Sequence, residues 1–211
     1  ERRLYDEVAG HAEALLDFLT NQKDAAAVSL AGSLRRGNET VQDIDILASS
    51  AHPERLARAF AGYGEAASVI ALGDTKVSIT LKAGINADLR IVTAGEFPYA
   101  LHHFTGSREH NVAMRGRAKD LGLKMNEYGL FRGDKNIVCH SEEELFTALG
   151  LQFIEPELRE NMGEIEAAEK GELPRLLDMK DVRGIFHVHT NFSDGADSLE
   201  KMVAAVKKMG F

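Results

Sequence analysis

The stretch GSLRRGNETVQDIDILASS, Gly32 to Ser50, constrains the fold of this chain more tightly than any other. It ends in DIDILAS, where acids and aliphatics alternate as they do on a strand with one polar and one buried face. Side chains two apart on a strand point the same way, so Asp43 and Asp45 share a face while Ile44 and Ile46 enter a core. The preceding AAAVSLAGS reads as a short buried strand, and Gly32 and Ser33 fall where that strand gives way to a short helix. Such a beginning commits the chain to a sheet that carries two neighbouring carboxylates beside a Gly-Ser turn.

The flanking patterns extend that sheet. Leu4, Val8, Ala12, Leu15, Leu16 and Leu19 recur at helical spacing, which predicts an amphipathic helix over residues 2–21. Residues 53–62 open with Pro53 and read as a helix turning Leu56, Ala59 and Phe60 inward. KVSITLKAG and NADLRIV are two more strands joined by a glycine-containing turn, and together these elements predict an α+β domain over residues 1–93. From Tyr99 to Leu149 the pattern changes to short helices with polar turns: EHNVAMRGRAKDLG ends at Gly122, and EEELFTALG has Ser141 as N-cap and Gly150 as stop. Leu151 to Arg183 is acidic, holds Pro156 and Pro174, and reads as a linker containing one helix. VRGIFHVHT reads as a strand, and Ser198 to Met209 as a helix with Leu199, Met202, Val203 and Val206 on one side.

Two carboxylates on one strand face repel each other, and a divalent cation removes that cost; hard oxygen ligands favour magnesium, commonly held together with substrate phosphates. Asp88 in NADLRIV offers a third carboxylate from a neighbouring strand. Glycine permits close backbone approach, a helix start presents amides to an anion, and Arg35 and Arg36 add charge-assisted bonds to phosphate oxygens. D-x-D alone marks many solvated strand edges and Gly-Ser alone many turns. In this order and spacing they place a polyphosphate and its metal in one segment.

Charge narrows the partners. A formal net charge of −8 over 211 residues argues against indiscriminate nucleic-acid binding. Glu155 to Asp181 holds nine acids against four bases, however, whereas Arg108 to Lys124 holds five bases against two acids, so most of the acidity lies where it need not meet a polyanion. No apolar run approaches the roughly 18 residues of a membrane span. The start ERRLYDE is unlike a signal peptide, and the single Cys139 makes no internal disulfide, so no membrane and a cytoplasmic setting are expected.

GS…RRG…DxD is the pattern of the nucleotidyltransferase superfamily, and the chain resembles one branch of it, the family X DNA polymerases of the bacterial and archaeal PolX type with a C-terminal PHP domain. HHFTGSREHNVAMRGRAKDLGLKMNEYGLF resembles that family's thumb motif, usually written around Y-F-T-G-S, with NEYGLF as its bacterial ending. The resemblance implies a nucleotidyltransferase-type palm of mixed sheet and helices over 1–93 and a small, mainly helical thumb over 94–150. An acidic linker over 151–182 and the first strand and helix of a PHP barrel over 183–211 would follow.

By the same resemblance Asp43, Asp45 and Asp88 are the triad for two Mg²⁺ or Mn²⁺ ions, with Asp88 placed to draw the proton from a primer 3′-hydroxyl. Gly32, Ser33 and Arg36 would hold the β and γ phosphates of a dNTP. His103, Phe104 and Gly106 would meet its sugar and base, Asn111 its minor-groove edge, and Arg115 the template strand. His103 stands where many members have Tyr, a departure that bears on sugar discrimination. Arg90 shares a strand face with Asp88; in relatives the matching arginine exchanges a catalytic aspartate for partners in the N-E-Y segment. Arg90 is therefore expected to pair with Asp45 when the thumb is open and with Glu127 and Tyr128 when it closes. Arg108, Arg117 and Lys119 read as a solvated face or loose phosphate contacts.

HVHTNFSDG resembles the first metal motif of PHP phosphoesterases. His187 and His189 would be co-facial on a strand, with Asp194 joining from the following loop to bind Zn²⁺ or Mn²⁺. A PHP barrel gathers ligands from many strands, so phosphoesterase activity is expected only of a longer protein. The function expected is that of a DNA-directed DNA polymerase acting on gapped or primer–template DNA. A nucleotidyltransferase with a non-DNA acceptor and a non-catalytic DNA-end-binding scaffold are its rivals; the thumb segment speaks against the first and the three aspartates against the second.

Overall fold

In the computed structural model, which describes residues 2–210, the chain forms two units, Glu1–Leu173 and Pro174–Phe211. The first opens with a two-residue strand, β1 (Arg3–Leu4), and a helix, α1 (Tyr5–Thr20). Val8, Ala12, Leu15 and Leu19 form the buried stripe of α1, while Asp6 and Glu7 in its first turn complement the positive end of the helix dipole. The helix starts later than its periodicity predicts because Arg3 and Leu4 pair with β3 (Thr40–Val41). Between them lie β2 (Ala27–Leu30) and the single turn α2 (Gly32–Arg35).

β4 (Asp43–Ser49) follows, then α3 (Pro53–Ala61), β5 (Ala66–Leu72), β6 (Lys76–Leu81) and β7 (Asn86–Val92). The strands make one open, mixed sheet in the order β2-β4-β7-β6-β5, with β4 and β7 parallel and every other pair antiparallel. α1 and α3 cover one side of this sheet, and their apolar stripes pack with Ile44, Ile46, Ile79 and Leu89 into the larger core. In α3 it is Ala57, one turn from Phe60 and beside Leu56, that turns inward, while Ala59 is only partly covered. β5 was not read from sequence. It is an edge strand with two register shifts, and Val69, Ile70 and Leu72 stay exposed, so AASVIAL lacks the one-sided burial that writes a period of two.

The second half of this unit begins with α4 (Phe97–Thr105) and α5 (Arg108–Asp120), then a small antiparallel sheet of β8 (Lys124–Asn126), β9 (Gly129–Arg132) and β10 (Lys135–Ile137), and α6 (Glu142–Ala148). Ser107 and Ser141 cap α5 and α6 by accepting the amides of His110 and Glu144. The three short strands are an addition to the helical reading of 94–150. Each holds at most four residues, too few to show a pattern.

Residues 151–173 are no linker. Leu151, Ile154, Ile165 and Ala168 are buried with Tyr99, Met114, Leu145 and Phe146 in a second apolar core, and α7 (Glu164–Lys170) packs there. Arg159 in this acidic run is fully buried. Its high charge reflects the outer face of the segment, while the apolar residues between the acids are too widely spaced to be read as a core pattern.

The unit Pro174–Phe211 contains a short turn at Met179–Asp181 and the helix α8 (Leu199–Lys208). VRGIFHVHT does not form the expected strand. No other strand lies in this unit, among the described residues, to accept its backbone hydrogen bonds, and none of its described residues is buried. No helix among the described residues is long and apolar enough to cross a membrane.

Candidate active site

Strand register brings the three aspartates side by side. β4 and β7 run parallel with Asp45 opposite Asp88, so Asp43, Asp45 and Asp88 lie on the sheet face turned away from buried Ile44, Ile46, Ala87 and Leu89. Burial, then the charges of Asp43 and Asp88, pushes the Asp45 carboxyl up to about 6, against the opposing pull of Arg36 and Arg90. Asp43 is raised as well, by burial first and Asp88 second, with Arg2 opposing. Burial and like charge that disfavour ionised Asp45 and Asp43 are the electrostatic setting a cation relieves. As the side chains stand, no three His, Cys, Asp or Glu groups among the described residues are drawn together closely enough to hold an ion. The donor chemistry fits a hard divalent cation, and completing its coordination requires these side chains to turn.

Gly32 ties the anion side of the site to the acid side. Its φ is +59°, and a Cβ built on it would fall on the Asp45 carboxylate. The amide of Ala31 donates to the Asp45 carbonyl at 2.8 Å, which fixes the turn against β4. Only glycine satisfies both the left-handed backbone and the close approach. Ser33 and Arg36 then follow on α2 and its C-cap.

A cavity of about 640 Å³ opens in front of this turn. Gly32, Ser33, Arg36 and Asp45 line it from one side, and His103, Phe104, Gly106, Asn111 and Arg115 from α4, the following turn and α5 line it from the other. The cavity thus gathers residues that stand more than 60 positions apart in the chain. Asn111 is buried, donates through Nδ2 to the His103 carbonyl at 2.7 Å, and has an Oδ1 with no partner. His103 has its pKa lowered by burial, which keeps the imidazole neutral where it faces the cavity. Asp43 and Asp88 are not on the cavity wall; they adjoin it through Asp45.

Further residues line the wall, among them Arg2, Asn38, Arg108 and Glu160. Arg108 follows FTGS directly, and its position was legible as a loose phosphate contact; nothing in the local pattern marked Arg2 or Glu160. Arg35 is a correction. Its guanidinium donates to Thr105 Oγ1 and to Glu142 Oε2, both at 2.6 Å, and so braces α2 against α4 and α6 away from the cavity. Glu142 is shared with Arg159, whose Nη1 reaches Oε1 at 2.6 Å and whose guanidinium lies over the rings of Phe146 and Phe153. Arg117 is likewise structural: Nε donates to the Leu149 carbonyl and Nη2 to Glu169, joining α5 to the ends of α6 and α7.

The closure residues meet without the expected bonds. Arg90, Glu127 and Tyr128 line one cavity of about 320 Å³ with Phe104. Arg90 makes no ion pair with Asp45 or Glu127 here; its guanidinium stacks over Phe104, 5.1 Å from the ring centroid. In the Pro174–Phe211 unit the rings of His187 and His189 stack 5.0 Å apart, and His189 Nδ1 bonds to Asp194. These three groups do not form a metal-holding cluster, because the strand that would have aligned the two imidazoles is not formed and His187 takes a φ of +57°.

Comparison with known proteins reaches the same region from outside. Residues 100–160 match the family described as DNA polymerase beta thumb, which runs past Leu149 into the segment that packs on the second core. Over 187 residues the chain is 39% identical to the DNA polymerase/3'-5' exonuclease PolX of Bacillus subtilis (strain 168), covering 87% of this chain and 32% of that protein. It therefore spans about a third of the length of that relative. Over 136 residues it is 30% identical to the Repair DNA polymerase X of African swine fever virus (strain Badajoz 1971 Vero-adapted), covering 61% of this chain and 78% of the viral protein. Among solved structures, the ternary P/T complex of Leishmania infantum polymerase beta has the same fold, with a TM-score of 0.65, 22% identity, and coverage of 76% of this chain and 77% of that one.

Proposed function

Because the chain belongs to the family X DNA polymerases, we propose that it adds a deoxynucleotide from a dNTP to the 3′-hydroxyl of a primer in short gaps of damaged DNA. The observation that carries this reading is the cavity that joins Gly32, Ser33, Arg36 and Asp45 to Phe104, Gly106, Asn111 and Arg115. Arg36 and the Ser33 turn suit the phosphates, Phe104 and Gly106 suit the sugar and base, and Asn111 on the same wall would meet the minor-groove edge of the base. Asp43, Asp45 and Asp88 would hold two Mg²⁺ or Mn²⁺ ions, which when bound supply charge neutralisation for the phosphoryl transfer. The protein's own part would be to position the triphosphate against the primer end, with Asp88 accepting the hydroxyl proton.

The repair setting draws on the viral relative, whose name calls it a repair polymerase. The helix α5, with Arg108, Arg115 and Lys119 exposed, offers positive charge to the DNA backbone. His187, His189 and Asp194 would contribute to a Zn²⁺ or Mn²⁺ site of a PHP phosphoesterase only together with ligands from further strands. We assign that activity to a longer protein.

The test is single-nucleotide extension of a one-nucleotide-gapped DNA in Mg²⁺ and in Mn²⁺, with each dNTP offered separately and Asp88→Ala as control. Template-matched incorporation that disappears in the variant is the expected result. Absence of incorporation with triphosphate binding intact would turn the reading toward another acceptor.

A further inference from the structure

Arg36 is already occupied. Its Nη1 donates to the Thr105 carbonyl at 2.6 Å and its Nε to Glu160 Oε1 at 2.7 Å. The two partners differ in kind. Thr105 is a neutral backbone acceptor on a fully buried residue, sufficient to hold the guanidinium against α4. Glu160 is a charged side chain, 35% exposed, on the wall of the cavity itself. Among the described residues its carboxylate bonds to Arg36 alone, whereas Glu142 and Glu164 nearby are buried and each accept from at least two groups. Such a carboxylate is cheaply displaced, because water receives what Arg36 gives up.

We propose that Glu160 is a phosphate surrogate: its carboxylate holds the place on Arg36 that an incoming polyphosphate takes over, and only a ligand with enough negative charge displaces it. The proposal rests on the reading of the cavity as a triphosphate site. A carboxylate within hydrogen-bonding distance cancels most of the attraction Arg36 would exert on a phosphate, and while it stays in place it repels one. Neutral ligands that enter the base end of the cavity gain nothing from dislodging it. Glu160 is therefore a specificity-determining residue that acts through Arg36 and sharpens the preference for polyphosphates over uncharged nucleosides. Its place in the chain adds a consequence, since it lies between Arg159, which anchors the segment, and Glu164, which takes the amides of Asn161 and Met162 and the Nδ1 of His110. The exchange moves one side chain and leaves the segment anchored on both sides.

The experiment is calorimetric binding of dATP, inorganic tripolyphosphate and 2′-deoxyadenosine to the full chain in Mg²⁺ at fixed ionic strength, for the unaltered protein, Glu160→Gln, Glu160→Asp and Arg36→Gln. Thermal unfolding confirms that each variant is folded. Glu160→Gln is expected to bind dATP and tripolyphosphate about fivefold more tightly and deoxyadenosine unchanged, the size of one partly exposed ion pair. Glu160→Asp should behave as the unaltered protein, and adding Glu160→Gln to Arg36→Gln should change nothing. Unchanged or weaker triphosphate binding in Glu160→Gln, while Arg36→Gln still weakens it, overturns the surrogate role and leaves the active-site reading intact. If Arg36→Gln has no effect on dATP either, the reading of the cavity fails, and the inference with it.

Discussion

At the level of single residues the site is a conflict between like charges that the fold sustains. Asp45 keeps a pKa of about 6 because burial and the neighbouring Asp43 and Asp88 disfavour its ionised form more than Arg36 and Arg90 favour it. A carboxyl raised above its ordinary value of 3.8 contributes stability that is fully present below that value and is lost as pH rises through about 6. Ionised Asp45 thus costs the cation-free fold on the order of 2 kcal/mol above neutrality. Asp45→Asn should raise the urea midpoint at pH 7.5, with the gain shrinking as pH falls toward 4. Added Mg²⁺ should raise the midpoint of the unaltered protein at pH 7.5 but much less below pH 6, where protons compete, and should do little for the variant. Gly32 lies against the same carboxylate. Gly32→Ala places a side chain at a φ of +59°, a backbone cost of about 1–2 kcal/mol, and drives a methyl into Asp45. A lower midpoint together with weakened triphosphate binding is the expected result; a variant that binds dATP normally would show that the turn has room to move. The aspartates and Gly32 were legible because a strand period of two and a Gly-Ser turn are local facts. Arg2 and Glu160 were not, since nothing within a few residues of either records that the chain brings them to this cavity.

At the level of elements, the alternation in β4 and β7 and the Ser141 cap of α6 follow from short-range pattern, and sequence anticipates them, whereas the parallel register that sets Asp45 opposite Asp88 is written in no contiguous stretch. The segment 151–173 shows where that logic stops. Its acids read as those of a linker, yet Leu151, Ile154, Ile165 and Ala168 enter a core, and the fully buried Arg159 donates to Glu142. Charge density reports the outer surface of a segment and is silent about a single inward arginine. The Arg35–Glu142–Arg159 cluster joins α2, α6 and this segment, and Glu142 is the only carboxylate in it. Glu142→Gln leaves the fully buried Arg159 without its counter-charge, and the expected loss is about 3–5 kcal/mol by chemical denaturation. A loss under about 1 kcal/mol would mean that water reaches Arg159 when its partner is gone. The same geometry explains why the thumb needs more chain than its helical pattern suggests. The boundary read at residue 150 cuts through a core, because Leu151 and Ile154 cover Phe146 only after the chain turns back at Gly150.

Across the whole molecule, the three apolar clusters and the cavity draw all their residues from before Pro174. The unit that follows has no buried residue among those described, and it exposes Leu177, Phe186, Val188 and Phe192. Its motif HVHTNFSDG was legible as a metal motif because the residues are contiguous. Whether that motif forms a strand depends on partners that no contiguous stretch can reveal, which is why the pattern and the structure part company there. A polypeptide of residues 1–173 should therefore unfold in one cooperative transition with the midpoint of the full chain and bind dATP equally well. A polypeptide of residues 1–150 should lose that transition and expose Phe146 and Leu145 to aggregation, since it lacks Leu151, Ile154, Ile165 and Ala168 of the second core. Limited proteolysis of the full chain should cut first after Leu173 and leave a resistant fragment ending near that residue. A resistant fragment ending near residue 150 would instead restore the linker and would place Arg159 and Glu160 outside the stable body. The proteolytic boundary thus decides whether the acidic segment belongs to the cavity or merely follows it.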